Sequence, residues 1–155
     1  MNKRKLYLAY GSNLDRQQMA HRCPTAKVVG TGVIKDYRLM FKGSKTGSYL
    51  TIEPAKGFEV PVAVWSVTAL DEKYLDFYEG YPRFYYKTDM RIVVRDFESG
   101  EAHKRKAFVY IMHEDHQLGR PSKGYMEVCT NGYKDFGFDH NILKEAYKYS
   151  IGEVS

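Results

Sequence analysis

The distribution of hydrophobic and polar residues predicts a chain made mainly of strands. A short apolar run, Leu6–Ala9, leads into a turn of glycine and small polar residues, and strands are predicted over Lys27–Ile34 and Tyr37–Lys42. The run Val60–Val67 is almost continuously apolar, which is typical of a strand covered on both faces. We therefore expect Val60–Val67 to be the central strand of the sheet.

Two longer strands are predicted later in the chain, over Phe84–Asp96 and Glu101–Met112. The connection between them is short enough for an antiparallel hairpin. A shorter strand is predicted over Tyr49–Glu53, where Pro54 would end it. The glycine-containing segment of residues 42–48 is a candidate mobile loop that could act as a lid.

Helical spacing is found in the first half of the chain as well. A helix is predicted over Asp15–Arg22, with Asn13 or Asp15 as its N-cap. Apolar residues at positions 70, 74, 77 and 78 have the spacing of one helical face. They predict a short amphipathic helix over Leu70–Glu79.

The remaining helices are predicted over Ser122–Tyr133 and Asp139–Tyr149, with Gly132 and Gly137 between them. Together the elements predict an α+β fold, a mostly antiparallel sheet or barrel with helices on its outside. The chain has 155 residues, of which 43% are hydrophobic and 28% charged, and no segment has the composition of a linker. We therefore expect residues 1–155 to form a single domain.

Charge and composition narrow the classes of function. The formal net charge of +5 arises from basic residues spread among 19 acidic ones, so a nucleic-acid-binding protein is the weaker interpretation. We expect no membrane partner, because no window approaches the roughly 20 apolar residues of a span. The two cysteines lack metal-ligand spacing, and the first apolar run is too short for a signal peptide. These features predict a cytoplasmic protein.

The turn Tyr10-Gly11-Ser12-Asn13-Leu14 is the first candidate site. Glycine permits backbone angles closed to other residues, and small polar residues tolerate tight turns, so successive N–H groups can converge on one ligand atom. The N-terminus of the following helix would face the same spot. The alternative is an ordinary turn between a strand and a helix.

Glu79 is the second candidate, at the C-terminal end of its predicted helix and among aromatic residues. A helix C-terminus carries partial negative charge, and an apolar surrounding disfavours an ionised carboxylate, so both effects raise the pKa of Glu79. A raised pKa suits a general base near neutral pH. The alternative is an exposed glutamate in a loop.

Other chemically suggestive residues are better explained structurally. His113 and His116 are three apart, which is not the helical spacing of a zinc site, and predict a polar loop. Cys129 is expected to be a buried thiol, and a nucleophilic pair of Cys23 with His21 is the weaker interpretation. Tyr125 is by itself a helix packing residue.

These motifs together resemble the γ-glutamylcyclotransferase-like family, which includes the AIG2-like proteins. The resemblance spans nearly the whole chain and rests on the order and spacing of several segments. They are Tyr10–Leu14, Leu50–Pro54, Val60–Val67, Leu70-Asp71, Glu79–Pro82, Tyr86, Pro121-Ser122 and Tyr125.

The resemblance implies a small mixed barrel and a reaction that releases 5-oxoproline from a γ-glutamyl amino acid or γ-glutamyl amine, without a metal or organic cofactor. It implies that the turn at residues 10–14 binds the substrate, that Glu79 is the general acid/base, and that Tyr125 helps to line the site. The implied partner is a small γ-glutamyl substrate, and a homodimer is left open.

One segment departs from the cytosolic glutathione-pathway relatives. A bulky aromatic and basic stretch, residues 81–85, follows Glu79, and its Arg83 either binds a substrate carboxylate or covers the barrel rim. The substrate therefore stays open at this point. The alternative function is a binding module for γ-glutamyl or other carboxylated molecules on the same scaffold, although a pure anion binder gains nothing from a carboxylate beside its ligand.

Overall fold

The structure is a computed structural model that describes residues 3–43 and 47–152. Six strands are found: β1 (Lys5–Ala9), β2 (Lys27–Gly43), β3 (Ser48–Val67), β4 (Tyr85–Asp96), β5 (Ala102–Met112) and β6 (Gln117–Leu118). Four helices accompany them: α1 (Arg16–Arg22), α2 (Ala69–Tyr78), α3 (Lys123–Phe136) and α4 (His140–Ser150). Residues 44–46 of the predicted lid lie outside the described residues, so the lid stays a prediction.

The strands form a closed mixed barrel. Their order is β3-β1-β5-β4-β2, and β2 pairs again with β3 to close the ring, while β6 is added to β2. The pairing of β1 with β5 is parallel and the other pairings are antiparallel. With four helices around the barrel, the predicted α+β class and the mixed, mostly antiparallel barrel are confirmed.

The predicted central strand lies inside β3. Residues 63–67 pair with β1 on one side, and residues 60–66 pair with β2 on the other. Nearly all of its side chains are buried, and they belong to the main hydrophobic core. The continuous apolar pattern therefore corresponds to a strand with a hydrogen-bonded neighbour on each side.

The predicted breaks near Asp36 and Pro54 are wrong. The chain passes both points as one long hairpin of β2 and β3, with Pro54 opposite Tyr37. The register shifts between Lys35 and Tyr37, where Asp36 takes a positive φ of 62° and its side chain accepts a hydrogen bond from the N–H of Gly57. Between the Lys35–Glu59 and Tyr37–Pro54 pairs, β2 has one residue and β3 has four, and such an irregularity bends the paired strands without ending them.

The helix α2 is confirmed, but its apolar face is not the buried one. Leu70, Tyr74, Phe77 and Tyr78 are all exposed, whereas Asp71 and Leu75 are the buried residues. Helix α3 also runs through Gly132, which was predicted to lie between helices. A Cβ at Gly132 would lie 2.4 Å from the Cβ of Leu14, so the glycine lets α3 approach the turn after β1 closely.

These contacts locate the functional region. Strand β1 ends at Ala9, and a 3-10 turn over Ser12–Leu14 leads into α1, which Asp15 caps through the N–H of Gln18. Helix α3 packs against that turn, where Gly132 lies against Leu14. None of the helices in the described part of the chain is both long and apolar enough to cross a membrane.

Candidate active site

A cavity of about 380 Å³ opens beside the turn that follows β1. It is lined by residues of the turn and α1, of the C-terminal end of α2, and of strands and α3. The lining residues are Tyr7, Leu8, Tyr10, Gly11, Ser12, Asn13, Gln18, Arg22, Tyr49, Leu50, Phe77, Tyr78, Glu79, Gly80, Phe84, Tyr85, Tyr110 and Tyr125. Among these, Arg22 and Glu79 are the only residues with a charged side chain.

The turn offers unused backbone donors to this cavity. The N–H of Leu14 donates to the carbonyl oxygen of Gly11 at 3.0 Å, and the N–H of Asp15 donates to that of Ser12 at 2.9 Å. Within residues 3–43 and 47–152, the N–H groups of Gly11, Ser12 and Asn13 have no such acceptor. Amide groups of this kind can bind a carboxylate or a carbonyl oxygen.

Asn13 is buried and uses its whole carboxamide. Its Oδ1 accepts from Gln18 Nε2 at 3.0 Å and from Arg22 Nη1 at 3.1 Å. Its Nδ2 donates to the Tyr7 hydroxyl at 2.9 Å and, in a longer hydrogen bond of 3.4 Å, to Oε1 of Glu79. Asn13 therefore joins the turn to the end of α2.

Glu79 is the first residue after α2, and its N–H donates to the carbonyl oxygen of Leu75 at 2.9 Å. The residue is half-buried as a whole, and its carboxyl group is the buried part. Burial raises the pKa of this carboxyl group from 4.5 to about 7, and the charge of Arg22 partly opposes that rise. Glu79 can therefore accept and return a proton near neutral pH.

Tyrosines form most of the inner wall. Burial, with the charge of Glu79 as a further cause, raises the pKa of Tyr7 and of Tyr10, so both stay neutral at physiological pH. The hydroxyl of Tyr10 donates to the backbone oxygen of Tyr110 at 2.7 Å. The hydroxyl of Tyr125 accepts from the N–H of Leu50 at 3.1 Å. The wall is therefore rigid and uncharged.

The structure brings most of the predicted site residues together. Tyr10, Gly11, Ser12, Asn13, Glu79 and Tyr125 all line the cavity. Leu14 does not line it, because its fully buried side chain packs under the turn against Gly132. Arg83 is exposed beside the loop of residues 113–116, which forms a separate surface hollow outside the cavity.

The other candidates also lie outside the cavity. His113 Nε2 is bonded to the backbone oxygen of Pro82 at 2.7 Å, and the ring of His116 packs against Phe84. In the described residues, no group of three or more His, Cys, Asp or Glu side chains could hold a metal ion. Burial raises the pKa of Cys23 and of Cys129 to about 12, so neither is a thiolate at neutral pH.

Gln18 and Arg22 were not predicted as site residues, although both line the cavity. They are four apart in α1 and therefore lie on the same helical face, one turn from the next. The N-cap at Asp15 fixes where that face begins. A helical projection from Asp15 would have placed both side chains beside the turn.

Exposed aromatic rings form the outer part of the cavity. Phe77 is 80% exposed and stands edge-to-face with Tyr78, with ring centroids 5.5 Å apart. The Arg22 guanidinium lies over the Tyr78 ring at 4.5 Å. Tyr49 and Phe84 form a second edge-to-face pair, with ring centroids 6.0 Å apart. The cavity thus combines a polar end at Asn13 and Glu79 with aromatic surface.

Comparison with known proteins gives a consistent result. The family profile described as "Gamma-glutamyl cyclotransferase, AIG2-like" matches residues 7–128. A human protein named gamma-glutamylcyclotransferase is 28% identical over 139 residues, which cover 85% of this chain and 71% of the human protein.

Solved structures agree with the family match. A structure of a protein called gamma-glutamyl cyclotransferase superposes with a TM-score of 0.76 at 24% identity, covering 93% of this chain and 86% of that chain, and it shows the shared fold. An uncharacterised human protein superposes with a TM-score of 0.75 at 27% identity, covering 92% of this chain and 86% of that chain.

Proposed function

The chain belongs to the γ-glutamyl cyclotransferase, AIG2-like family, and from this premise we propose that it releases 5-oxoproline from a γ-glutamyl amino acid or a γ-glutamyl amine. One observation carries the proposal. A buried carboxyl group with a pKa of about 7, that of Glu79, shares a cavity with the unused amide donors of the turn and is bonded to Asn13. The turn binds the substrate and Glu79 transfers the proton.

The reaction is an intramolecular acyl transfer. The α-amine nitrogen of the γ-glutamyl group attacks its own γ-carbonyl carbon, and the new C–N bond closes the five-membered ring. The bond between that carbon and the nitrogen of the leaving amine then breaks. Binding the γ-glutamyl arm in a folded conformation supplies the proximity that this ring closure requires.

Glu79 accounts for the proton transfers. An ammonium group cannot attack, so the carboxylate of Glu79 first takes a proton from it, and the resulting carboxylic acid returns a proton to the leaving nitrogen. A carboxyl group with an ordinary pKa would be a weak base for the first step. The raised pKa of about 7 supports both roles in one residue.

The turn has two candidate roles. As the tetrahedral intermediate forms, negative charge develops on the γ-carbonyl oxygen, and each well-placed N–H of residues 11–13 could stabilise it by roughly 3 kcal/mol. Alternatively, these donors hold the α-carboxylate of the γ-glutamyl group. Both roles require an anionic or partly anionic oxygen next to Gly11 and Ser12, where the turn borders the cavity.

The test is an assay of 5-oxoproline release from a panel of γ-glutamyl amino acids and γ-glutamyl amines. We expect turnover with at least one compound. Glu79→Gln should fold normally and lose at least about a thousand-fold in rate, because the proton acceptor is missing. Arg83→Gln is the matched control at an exposed position outside the cavity, and it should keep wild-type turnover.

Two results would contradict the proposal. Near-normal turnover by Glu79→Gln would remove the role of Glu79. Absence of turnover with every compound, together with a compound that raises the melting temperature, would favour a binding module on this scaffold.

A further inference from the structure

The orientation of the Asn13 carboxamide is determined by its surroundings. The amide oxygen accepts two hydrogen bonds and the NH₂ group donates two, so the full capacity of the group is used. Both donors to the oxygen, Gln18 and Arg22, come from α1. If the amide were rotated by half a turn, its NH₂ group would face these donors and its oxygen would face Glu79.

Gln18 and Arg22 differ in what they can do to Glu79. Gln18 Nε2 also donates to the hydroxyl of Ser12 at 2.7 Å, so it ties Asn13 to the turn without carrying charge. Arg22 donates to Asn13 and also carries a full positive charge, which favours the ionised form of Glu79. One residue therefore acts on both the geometry and the charge of the site.

Few other groups can act on Glu79 electrostatically. The titratable side chains that interact with it come from four elements. They are Tyr7 on β1, Tyr10 directly after β1, Tyr85 on β4, Tyr110 on β5 and Tyr125 on α3. Burial keeps the pKa of each tyrosine high, so all five are neutral at the pH at which Glu79 titrates. Among the described residues, the charged side chain that acts on Glu79 is that of Arg22, on α1.

We propose that Arg22 is a positioning residue that acts through Asn13 on Glu79, holding the Asn13 amide so that it donates to the carboxylate. The inference rests on the proposed function, in which Glu79 transfers the proton. The Arg22 guanidinium is itself held over the ring of Tyr78, which is the last residue of α2 and directly precedes Glu79. This stacking restricts the rotamers of Arg22 and links α1 to the end of α2.

The competing role for Arg22 is direct binding of a substrate carboxylate. The guanidinium has five N–H donors, and Asn13 uses one of them. A carboxylate-binding arginine would change KM and would distinguish substrates that carry a carboxylate on the leaving amine from those that lack it. A positioning arginine would change kcat and the pH profile for both kinds of substrate alike.

The experiment compares Arg22→Met, which removes charge and donor, with Gln18→Met, which removes a donor to the same oxygen and no charge. The substrates are γ-glutamylphenylalanine and γ-glutamylphenethylamine, which differ by one carboxylate. We expect both variants to lower kcat at least about tenfold on either substrate at little change in KM. Arg22→Met should move the acid limb of the kcat/KM profile upward by about one pH unit, and Gln18→Met, which removes no charge, should move it less.

A double-mutant cycle tests the route through Asn13. In an Asn13→Ala background, Arg22→Met should cause little further loss of kcat, because the group through which it acts is gone. Fully additive losses would overturn the proposal. So would a rise in KM confined to the carboxylate-bearing substrate, which would show direct binding.

Titration of the Glu79 carboxyl carbon by NMR gives a readout that does not depend on turnover. Its pKa should rise most in Arg22→Met, rise less in Gln18→Met, which removes a donor to Asn13 and no charge, and stay near the wild-type value in Arg22→Lys, which keeps the charge. An unchanged pKa in Arg22→Met contradicts the inference even if the enzyme is active. Absence of turnover in the wild-type protein, with the pKa shift present, contradicts the proposed function and leaves the coupling between Arg22 and Glu79 demonstrated.

Discussion

Each end of α2 carries an acidic residue, and the negative charges of the two residues are compensated to different degrees. At the N-terminal end, the Asp71 carboxylate accepts a hydrogen bond from the N–H of Thr68 at 3.0 Å and one from the hydroxyl of Thr25, which lies 2.8 Å from both carboxylate oxygens. The Thr68 side chain in turn accepts from the N–H of Asp71, which completes a capping box. The partial positive charge of the helix N-terminus favours this carboxylate as well.

At the C-terminal end, the carboxylate of Glu79 has one side-chain donor among the described residues, Asn13 at 3.4 Å, and it lies against the partial negative charge of the helix end. Asp71 and Glu79, which lie eight residues apart at the two ends of α2, therefore differ in how well their charge is compensated. The compensated one stabilises the helix start. The poorly compensated one keeps a proton up to neutral pH, and it is the one that lines the cavity.

The largest expected difference between the two acidic residues is in how Glu79 makes the free energy of unfolding depend on pH. Because the pKa of Glu79 is raised to about 7 in the folded protein, the native state binds more protons than the unfolded state between about pH 4.5 and 7. The contribution of Glu79 to the free energy of unfolding is therefore fully present at low pH, and it falls by up to about 3 kcal/mol as the pH rises through that window. Glu79→Gln should lack this fall, which denaturant unfolding at about pH 4 and pH 8 would measure. If the free energy of unfolding changed with pH in the same way in the wild-type protein and in Glu79→Gln, this prediction would be contradicted.

The next effect is on catalysis. If ionised Glu79 is the base, kcat/KM should fall about tenfold for each pH unit below its pKa of about 7, and so about a hundredfold by pH 5. The plateau should lie above pH 7. The measurement is the pH profile of kcat/KM for the wild-type protein on its best substrate. A flat profile between pH 5 and 8 would contradict the role of Glu79 as the base.

Asp71→Ala should act on stability instead of rate. It removes the capping box and the partner of the Thr25 hydroxyl, so we expect a loss of about 2 kcal/mol in the free energy of unfolding. The folded fraction should keep the wild-type pH profile of turnover. Asp89→Ala is a suitable control, because Asp89 is exposed and its ion pair with Lys106 is 3.8 Å long. A shifted pH profile in Asp71→Ala would mean that the two ends of α2 are not independent.

The smallest expected effect concerns the exposed aromatic rim. Phe77→Ala removes a ring that is 80% exposed and should cost less than about 1 kcal/mol of stability. If the leaving amine packs on this rim, KM for γ-glutamylphenylalanine should rise severalfold while KM for γ-glutamylalanine changes less. Phe97→Ala, at a similarly exposed ring in the β4–β5 turn, is the control. Equal KM changes for both substrates would show that the ring does not select the leaving amine.

Short-range sequence patterns predicted most of the helices and strands of this protein. Caps at Asp15, Ser122 and Asp139 lie where they were predicted, because each satisfies backbone donors within three residues of itself. The buried strand within β3 and the hairpin of β4 and β5 followed from short-range patterns. Errors arose where a distant contact overrode a local signal. At Gly132, glycine lies inside a helix because the close approach of Leu14 leaves no room for a side chain.

By itself the sequence determined the helices and most of the strands, the α+β class, and two candidate functional segments, since propensity, capping and hydrophobic period act over a few residues. Only the tertiary structure decided that Asn13 and Glu79, 66 residues apart, share a hydrogen bond, and that Arg22 donates to Asn13 while its charge acts on Glu79. The antiparallel pairing of β1 with β3, which α2 directly follows, brings these distant segments together. The pKa of Glu79 depends on that enclosure, because the free energy of a buried charge is set by the groups around it.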